Sequence, residues 1–127
     1  MAAERCSCHD PLVITVLIVD DHASFRFTAR KLLEAEGFDV VGEAADGRSA
    51  LEAAVRLEPD VILLDIYLPD IDGFDVALRL KATNHSAVIL TSSRDGSDFG
   101  SLVRKSGARG FVPKAELSGA SLTALLE

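Results

Sequence analysis

A chain of 127 residues that is 48% hydrophobic and 26% charged has the length of one globular domain and enough apolar side chains to close a core. Its longest apolar stretch, Pro11–Val19, is about half of what a membrane-crossing helix needs, and Met1–Asp10 is too polar for a secretion signal, so a cytoplasmic protein without membrane contact is expected. A formal net charge of −7 argues against this domain gripping a nucleic-acid backbone, which takes clustered Lys and Arg.

In chain order, residues 1–11 read as a flexible polar tail. Cys6, Cys8 and His9 offer metal donors there, but a structural zinc site usually gathers four ligands, and two free thiols in a frayed terminus is the simpler reading. One domain is expected over 12–127. Runs rich in Val, Ile and Leu recur at Val13–Val19, Val40–Glu43, Val61–Leu64, Val88–Leu90 and Gly110–Val112. Between the first two, Phe25, Ala29, Leu32, Leu33 and Glu36 trace one face of a helix, and Gly37 follows where a left-handed cap is expected. Asp46 and Gly47 open a second helix with Ala50, Leu51, Ala54 and Val55 on one face, ended by Pro59. Phe74–Thr83 is the third. The fourth, Ser97–Lys105, has only Phe99, Leu102 and Val103 to bury, so weak docking is expected. Ser118 caps a fifth, with Leu122, Leu125 and Leu126 facing inward.

Strand and helix alternating five times predicts an α/β fold with a parallel sheet covered on both faces, because parallel strands need crossovers and right-handed crossovers lay helices on the sheet. The unbroken apolar run Val61–Leu64 agrees with burial on both sides. No repeat, linker or low-complexity tract interrupts the pattern, and the fifth helix runs to the end of this sequence, so a single domain without an output module is expected.

In open parallel sheets, ligands bind beyond the carboxyl ends of the strands, where strand order reverses. The first strand ends in Asp20 and Asp21 and the third in Asp65, so if those strands are neighbours three carboxylates converge. Like charges that close either stay partly protonated or hold a cation, and an oxygen-rich site with room for water suits Mg²⁺.

The segments VLIVDDH, LLDIYLPDIDG, VILTSS and ARGFVPK, in that order and spacing, resemble the receiver domains of two-component response regulators, of the single-domain chemotaxis-regulator kind. The likeness runs from Val13 to Leu126. It requires an acidic pair, a lone Asp with Pro69 and Gly73 four and eight residues later, a strand-end Thr and a late Lys to coincide. The resemblance implies a doubly wound, flavodoxin-like sheet of order 2-1-3-4-5 with five helices, which would make the first and third strands neighbours. It implies that Asp65 accepts a phosphoryl group, that Asp21, Asp65 and the backbone carbonyl of Tyr67 bind Mg²⁺ directly, and that Asp20 acts largely through a coordinated water. Lys114 and Thr91 would meet the phosphoryl oxygens, Ser92 would fill a small-residue position beside them, and Phe111 would be the aromatic whose ring moves when the threonine does. His22 reads as a loop residue without a catalytic role. In one departure, Pro113 precedes Lys114 and Ala115 follows it, which weakens the expectation of the cis bond some relatives have after this lysine.

The function implied is a phosphorylation switch rather than a metabolic enzyme. A histidine kinase or histidine phosphotransfer protein would donate, and a downstream protein target or fused output domain would respond, a homodimer being one form of that response. Three alternatives stay open. A metal-dependent phosphohydrolase would normally carry a second Asp where Tyr67 stands. A flavin or nucleotide module would need a Gly-rich loop after the first strand, and none is there. A receiver that works by protein binding without phosphorylation keeps the same fold.

Overall fold

The apolar run before Asp20 forms β1 (Thr15–Val19), in which Val16, Leu17, Ile18 and Val19 are wholly buried. The computed structural model describes residues 13–93 and 100–126. The tail with Cys6, Cys8 and His9, the segment that includes Ser97 and Phe99, and Glu127 lie outside the described residues. After β1 come α1 (Ala23–Ala35), β2 (Asp39–Ala44), α2 (Gly47–Leu57), β3 (Val61–Asp65), α3 (Gly73–Thr83), β4 (Ala87–Ser92), α4 (Gly100–Ser106), β5 (Gly110–Pro113), a short 3-10 turn (Lys114–Glu116) and α5 (Gly119–Leu126). The strands are all parallel in the order β2-β1-β3-β4-β5, as expected. No cis peptide bond occurs among the described residues.

Alternation along each strand divides the core in two. Leu17, Val19, Ile62, Leu64, Val88 and Leu90 face one side, where Ala50, Ala53 and Ala54 of α2 and Val76, Ala77 and Leu80 of α3 cover them. Val16, Ile18, Leu63, Ile89 and Val112 face the other, against Ala29 and Leu33 of α1 and Leu122 of α5. Strands buried on both faces have no polar side, which is why β3 reads as an unbroken apolar run.

Local chemistry sets the helix ends. Asp46 accepts from the Ser49 N–H at 2.8 Å while Ser49 Oγ accepts from the Asp46 N–H at 3.4 Å, a reciprocal cap that starts α2. Gly37, with φ +96°, follows α1 in the left-handed conformation that its position predicted. Ser118 Oγ accepts from the Ser121 N–H at 3.0 Å and starts α5. Leu122 is then buried, while Leu125 and Leu126 are partly so.

Two side chains depart from the expected faces. Val55 is 65% exposed. The buried stripe of α2 is Ala50, Ala53 and Ala54, flanked by Leu51 and Leu57, because a row of alanines lets the helix lie closer to the sheet than a valine would. Leu102 is 45% exposed, whereas Val103 packs partly buried against the core and Ser106 is the one wholly buried residue of α4 among those described, in keeping with light docking. No helix among the described residues is long and apolar enough to cross a membrane.

The first turn of α3 lies directly on the end of β3. A Cβ on Gly73 would stand 2.5 Å from the Asp65 carbonyl oxygen and 2.6 Å from Ile66 Cα, and the Gly73 N–H donates to Ile66 O at 2.8 Å. Backbone atoms cannot step aside as a flexible side chain can. Gly73→Ala should therefore cost about 1–3 kcal/mol, the range for overpacking. Urea denaturation checks this, and a loss below about 0.5 kcal/mol would show that the contact relaxes freely.

Candidate functional site

Each carboxylate of the site is held by the backbone that delivers it. Asp20 follows β1 directly and its side chain is wholly buried, with its N–H bonded to Ala44 O at 3.0 Å. Asp20 Oδ1 accepts the His22 N–H at 2.8 Å, and the Asp20 carbonyl accepts from Arg26 Nη1 at 2.6 Å. Arg26 is itself oriented by Glu43 at 3.0 Å. Asp21, next in the chain, turns toward solvent. Asp65 ends β3, only 3% exposed, with Oδ1 accepting the Tyr67 N–H at 3.2 Å. Asp70 in the following loop accepts from the N–H groups of Gly47 and Arg48, at 2.7 and 3.0 Å, and ties that loop to the start of α2. The Gly47 bond foremost holds the Asp70 carboxyl below the usual range.

The sheet order brings these groups to one edge, since β1 and β3 are direct neighbours. Lys114, immediately after β5, reaches across from the far side. Its Nζ lies 2.5 Å from Asp20 Oδ2, an ion pair, and 3.4 Å from Asp65 Oδ2. Thr91 stands opposite Asp65 in the β3–β4 register, wholly buried, and its Oγ1 has no hydrogen-bond partner among the described residues. A buried hydroxyl without a partner is costly and points to a group it is waiting to bind. Ser92 beside it is also buried, whereas Phe111 is partly buried against the apolar layer that α2 and α3 cover.

Ligand atoms of Asp20, Asp21, His22 and Asp65 all lie within 4.8 Å of one another. Burial first, and the neighbouring Asp20 carboxylate second, push the Asp65 carboxyl up to about 6, against the opposing pull of the Tyr67 N–H and of Lys114. Asp20, Asp21, Asp65 and Lys114 thus come together here, with the Tyr67 N–H on Asp65 and Thr91 beside it in the β3–β4 register.

Sequence reasoning missed three contributors. His22 was read as a plain loop residue, yet its Nδ1 is 3.1 Å from both Asp20 Oδ1 and Asp21 Oδ1. Phe25 was counted only as core, and its ring also lies 4.5 Å beneath the Lys114 ammonium. Arg26, which anchors the Asp20 carbonyl, carried no signal beyond its place on the first turn of α1.

The raised Asp65 carboxyl makes a stability prediction. A carboxyl that titrates near 6 when folded and at its ordinary 3.8 when unfolded binds its proton more tightly in the folded state. It therefore opposes folding by nothing below pH 3.8, by an increasing amount between 3.8 and 6, and fully above. Asp65→Asn should stabilise the metal-free domain at pH 7.5 by up to roughly 3 kcal/mol, with the gain fading as pH falls toward 4. Denaturant unfolding in chelator checks this, and a gain independent of pH would contradict it.

Comparison with known proteins agrees with this geometry. A model of the family described as "Response regulator receiver domain" matches residues 16–127. The nitrate/nitrite response regulator protein NarP of Escherichia coli K12 is 44% identical over 102 residues, 78% of this chain and 47% of that protein. A protein-glutamate methylesterase/protein-glutamine glutaminase of Alkalilimnicola ehrlichii is 39% identical over 111 residues, 84% of this chain and 28% of that one. Among solved structures, the signal receiver domain of a response regulator named NarL from Mycobacterium tuberculosis superposes with a TM-score of 0.78 at 34% identity, covering 89% of this chain and 96% of that one. The chain spans about half the length, or less, of the curated relatives it matches. From Val16 to its last residue, this chain belongs to the response regulator receiver domains of two-component signal transduction.

Proposed function

We propose that Asp65 takes a phosphoryl group from a phosphohistidine of a histidine kinase or histidine phosphotransfer protein, and that the resulting acyl phosphate shifts the domain between two conformations. The observation that carries this reading is the buried Asp65 carboxylate at the edge of the sheet, 3.4 Å from the Lys114 ammonium and paired in register with Thr91, whose buried hydroxyl has no hydrogen bond among the described residues. A carboxylate oxygen of Asp65 attacks phosphorus, the phosphorus–nitrogen bond breaks, and the imidazole nitrogen keeps the electron pair and takes a proton from solvent. In-line placement and neutralisation of the phosphoryl oxygens are what this chemistry asks of a protein. Lys114 supplies a positive charge and Thr91 a hydrogen-bond donor.

Three carboxylates face one ammonium, which pairs with both Asp20 and Asp65, so the site has a surplus of negative charge that a divalent cation fits. Asp21, Asp65 and the Tyr67 carbonyl would hold Mg²⁺ directly, with Asp20 acting largely through a coordinated water, and the ion supplies charge neutralisation to the transferring oxygens when bound. The domain works in the cytoplasm and hands its change of shape to a downstream protein target or fused output domain, with a homodimer as one form of output. Any DNA contact is made by another module, in keeping with the charge of −7.

Mass spectrometry after incubation with acetyl phosphate tests the assignment. One phosphoryl group should add in Mg²⁺ and none in excess chelator. Asp65→Asn should abolish labelling and Asp21→Ala should nearly do so; full labelling of Asp65→Asn at another residue would remove Asp65 from this role.

Self-catalysed loss of the phosphoryl group should be slow. Tyr67 lies two residues after Asp65 and Ser93 two residues after Thr91, positions that in receiver domains flank the approach of water to phosphorus, and Tyr67 is half exposed. An aromatic ring excludes water there, and a short hydroxyl offers little help in orienting it. Displacing or ordering one water is worth about tenfold in rate, or ~1.4 kcal/mol. In excess Mg²⁺, Tyr67→Asn and Ser93→Glu should lose phosphate about tenfold faster than the parent. If both decay no faster, their side chains do not gate water.

A further inference from the structure

His22 sits where a ligand would. Its Nδ1 is 3.1 Å from Asp20 Oδ1 and 3.1 Å from Asp21 Oδ1, and with Asp65 these donors fall within 4.8 Å. Donors at right angles on an octahedral ion, each about 2.1 Å from it, stand ~3.0 Å apart, and opposite donors ~4.2 Å apart. The imidazole nitrogen and Asp21 Oδ1, 3.1 Å apart, already have the spacing of adjacent corners. The stem of His22 is held as well, with its N–H on Asp20 Oδ1 at 2.8 Å and its carbonyl accepting the Arg26 N–H at 3.1 Å. The side chain is 66% exposed, so the ring forms the solvent-side wall of the cluster. A second observation concerns the charge at the site: the wholly buried Asp20 Oδ2 pairs with the Lys114 ammonium at 2.5 Å, and that same ammonium meets Asp65 Oδ2 at 3.4 Å, so one positive charge serves two buried carboxylates beside Asp21.

We infer that His22 is a further side-chain ligand of this site beside Asp21 and Asp65, giving an otherwise all-oxygen cation site one nitrogen donor that selects transition ions of the Ni²⁺ kind over Mg²⁺. Imidazole suits nickel, zinc and copper, whereas carboxylate, carbonyl and water suit magnesium. Ni²⁺ is the informative probe because it is close to Mg²⁺ in size and accepts the same six-fold arrangement, so a difference between the two reads the donor type rather than the cavity. The inference rests on the reading of the acidic cluster as a divalent-cation site.

A different role for the ring predicts the opposite behaviour. If His22 served as an imidazolium bridging Asp20 and Asp21, it would occupy the place of the ion, and removing it would tighten the binding of every divalent cation. The contact distances alone do not separate these roles. Metal selectivity does.

The tail residues Cys6, Cys8 and His9 also offer soft donors, so the test begins from the full chain carrying Cys6→Ser, Cys8→Ser and His9→Ala. Calorimetric titration with Ni²⁺ and separately with Mg²⁺ gives two affinities, and the emission of Tyr67 reports on the site itself, since the chain has one tyrosine and no tryptophan. The titrations are repeated with His22→Asn, which keeps a good helix-capping residue at this position, and with His22→Ala. Ni²⁺ binding should weaken by at least about tenfold in both variants, with Mg²⁺ affinity changed by no more than about twofold. Equal loss for both ions, no loss, or tighter binding of both overturns the inference. If Mg²⁺ binds the starting protein and its selectivity over Ni²⁺ ignores His22, this inference alone falls. If neither ion binds that protein, the reading of the cluster as a cation site falls and this one falls with it.

Discussion

The domain is organised around a charge imbalance it has buried. Asp20 and Asp65 are both out of water, Asp21 stands beside them, and Lys114 is the ammonium that meets them. Burying carboxylates is costly unless they are paired and bonded, and here one ammonium serves two of them from the far side of the site. The cost appears as the raised Asp65 carboxyl, and it leaves an excess of negative charge that a cation from outside the chain would neutralise. A site satisfied within the chain would have nothing to respond to.

Everything near the site keeps that imbalance in place. Neighbouring β1 and β3 bring the aspartates within reach of one another, and β4 sets Thr91 opposite Asp65. The chain must cross the whole sheet before β5 can deliver Lys114. Gly73 lets the start of α3 press on the end of β3, while Arg26 and Asp70 tie the flanking loops to β1 and α2. The firmly packed elements thus surround the aspartates. The lightly packed one, α4, follows Thr91, as a switch that moves its cheapest element would require.

The residues whose chemistry is strand-local were legible. Asp20, Asp21 and Asp65 announce themselves because a carboxylate at the end of an apolar strand has no packing reason to be there, and Lys114 and Thr91 were identified by the company they keep along the chain. Val55 departs from the expected face because the buried stripe of α2 is centred on Ala50, Ala53 and Ala54, and at about 100° per residue Val55 falls well round the helix from Ala53. Periodicity counts apolar residues without weighing how near each Cβ can bring the helix to the sheet. Leu102 also departs from the expected burial, standing 45% exposed while its neighbour Val103 packs against the core, because adjacent helix positions point about 100° apart and only one of the two can face the sheet.

By itself the sequence determined the alternation of strands and helices, the burial of both sheet faces and the identity of the acidic and basic groups at the strand ends, because each follows from local periodicity or from one residue's cost of burial. Tertiary structure alone decided that the Lys114 ammonium lies against the Phe25 ring, that the His22 nitrogen is shared between two carboxylates, and that the Thr91 hydroxyl is left without a partner. Those facts depend on distances between atoms far apart along the chain or on side-chain rotation within one loop. Such distances are set by how the helices and the sheet pack together, which no local pattern encodes.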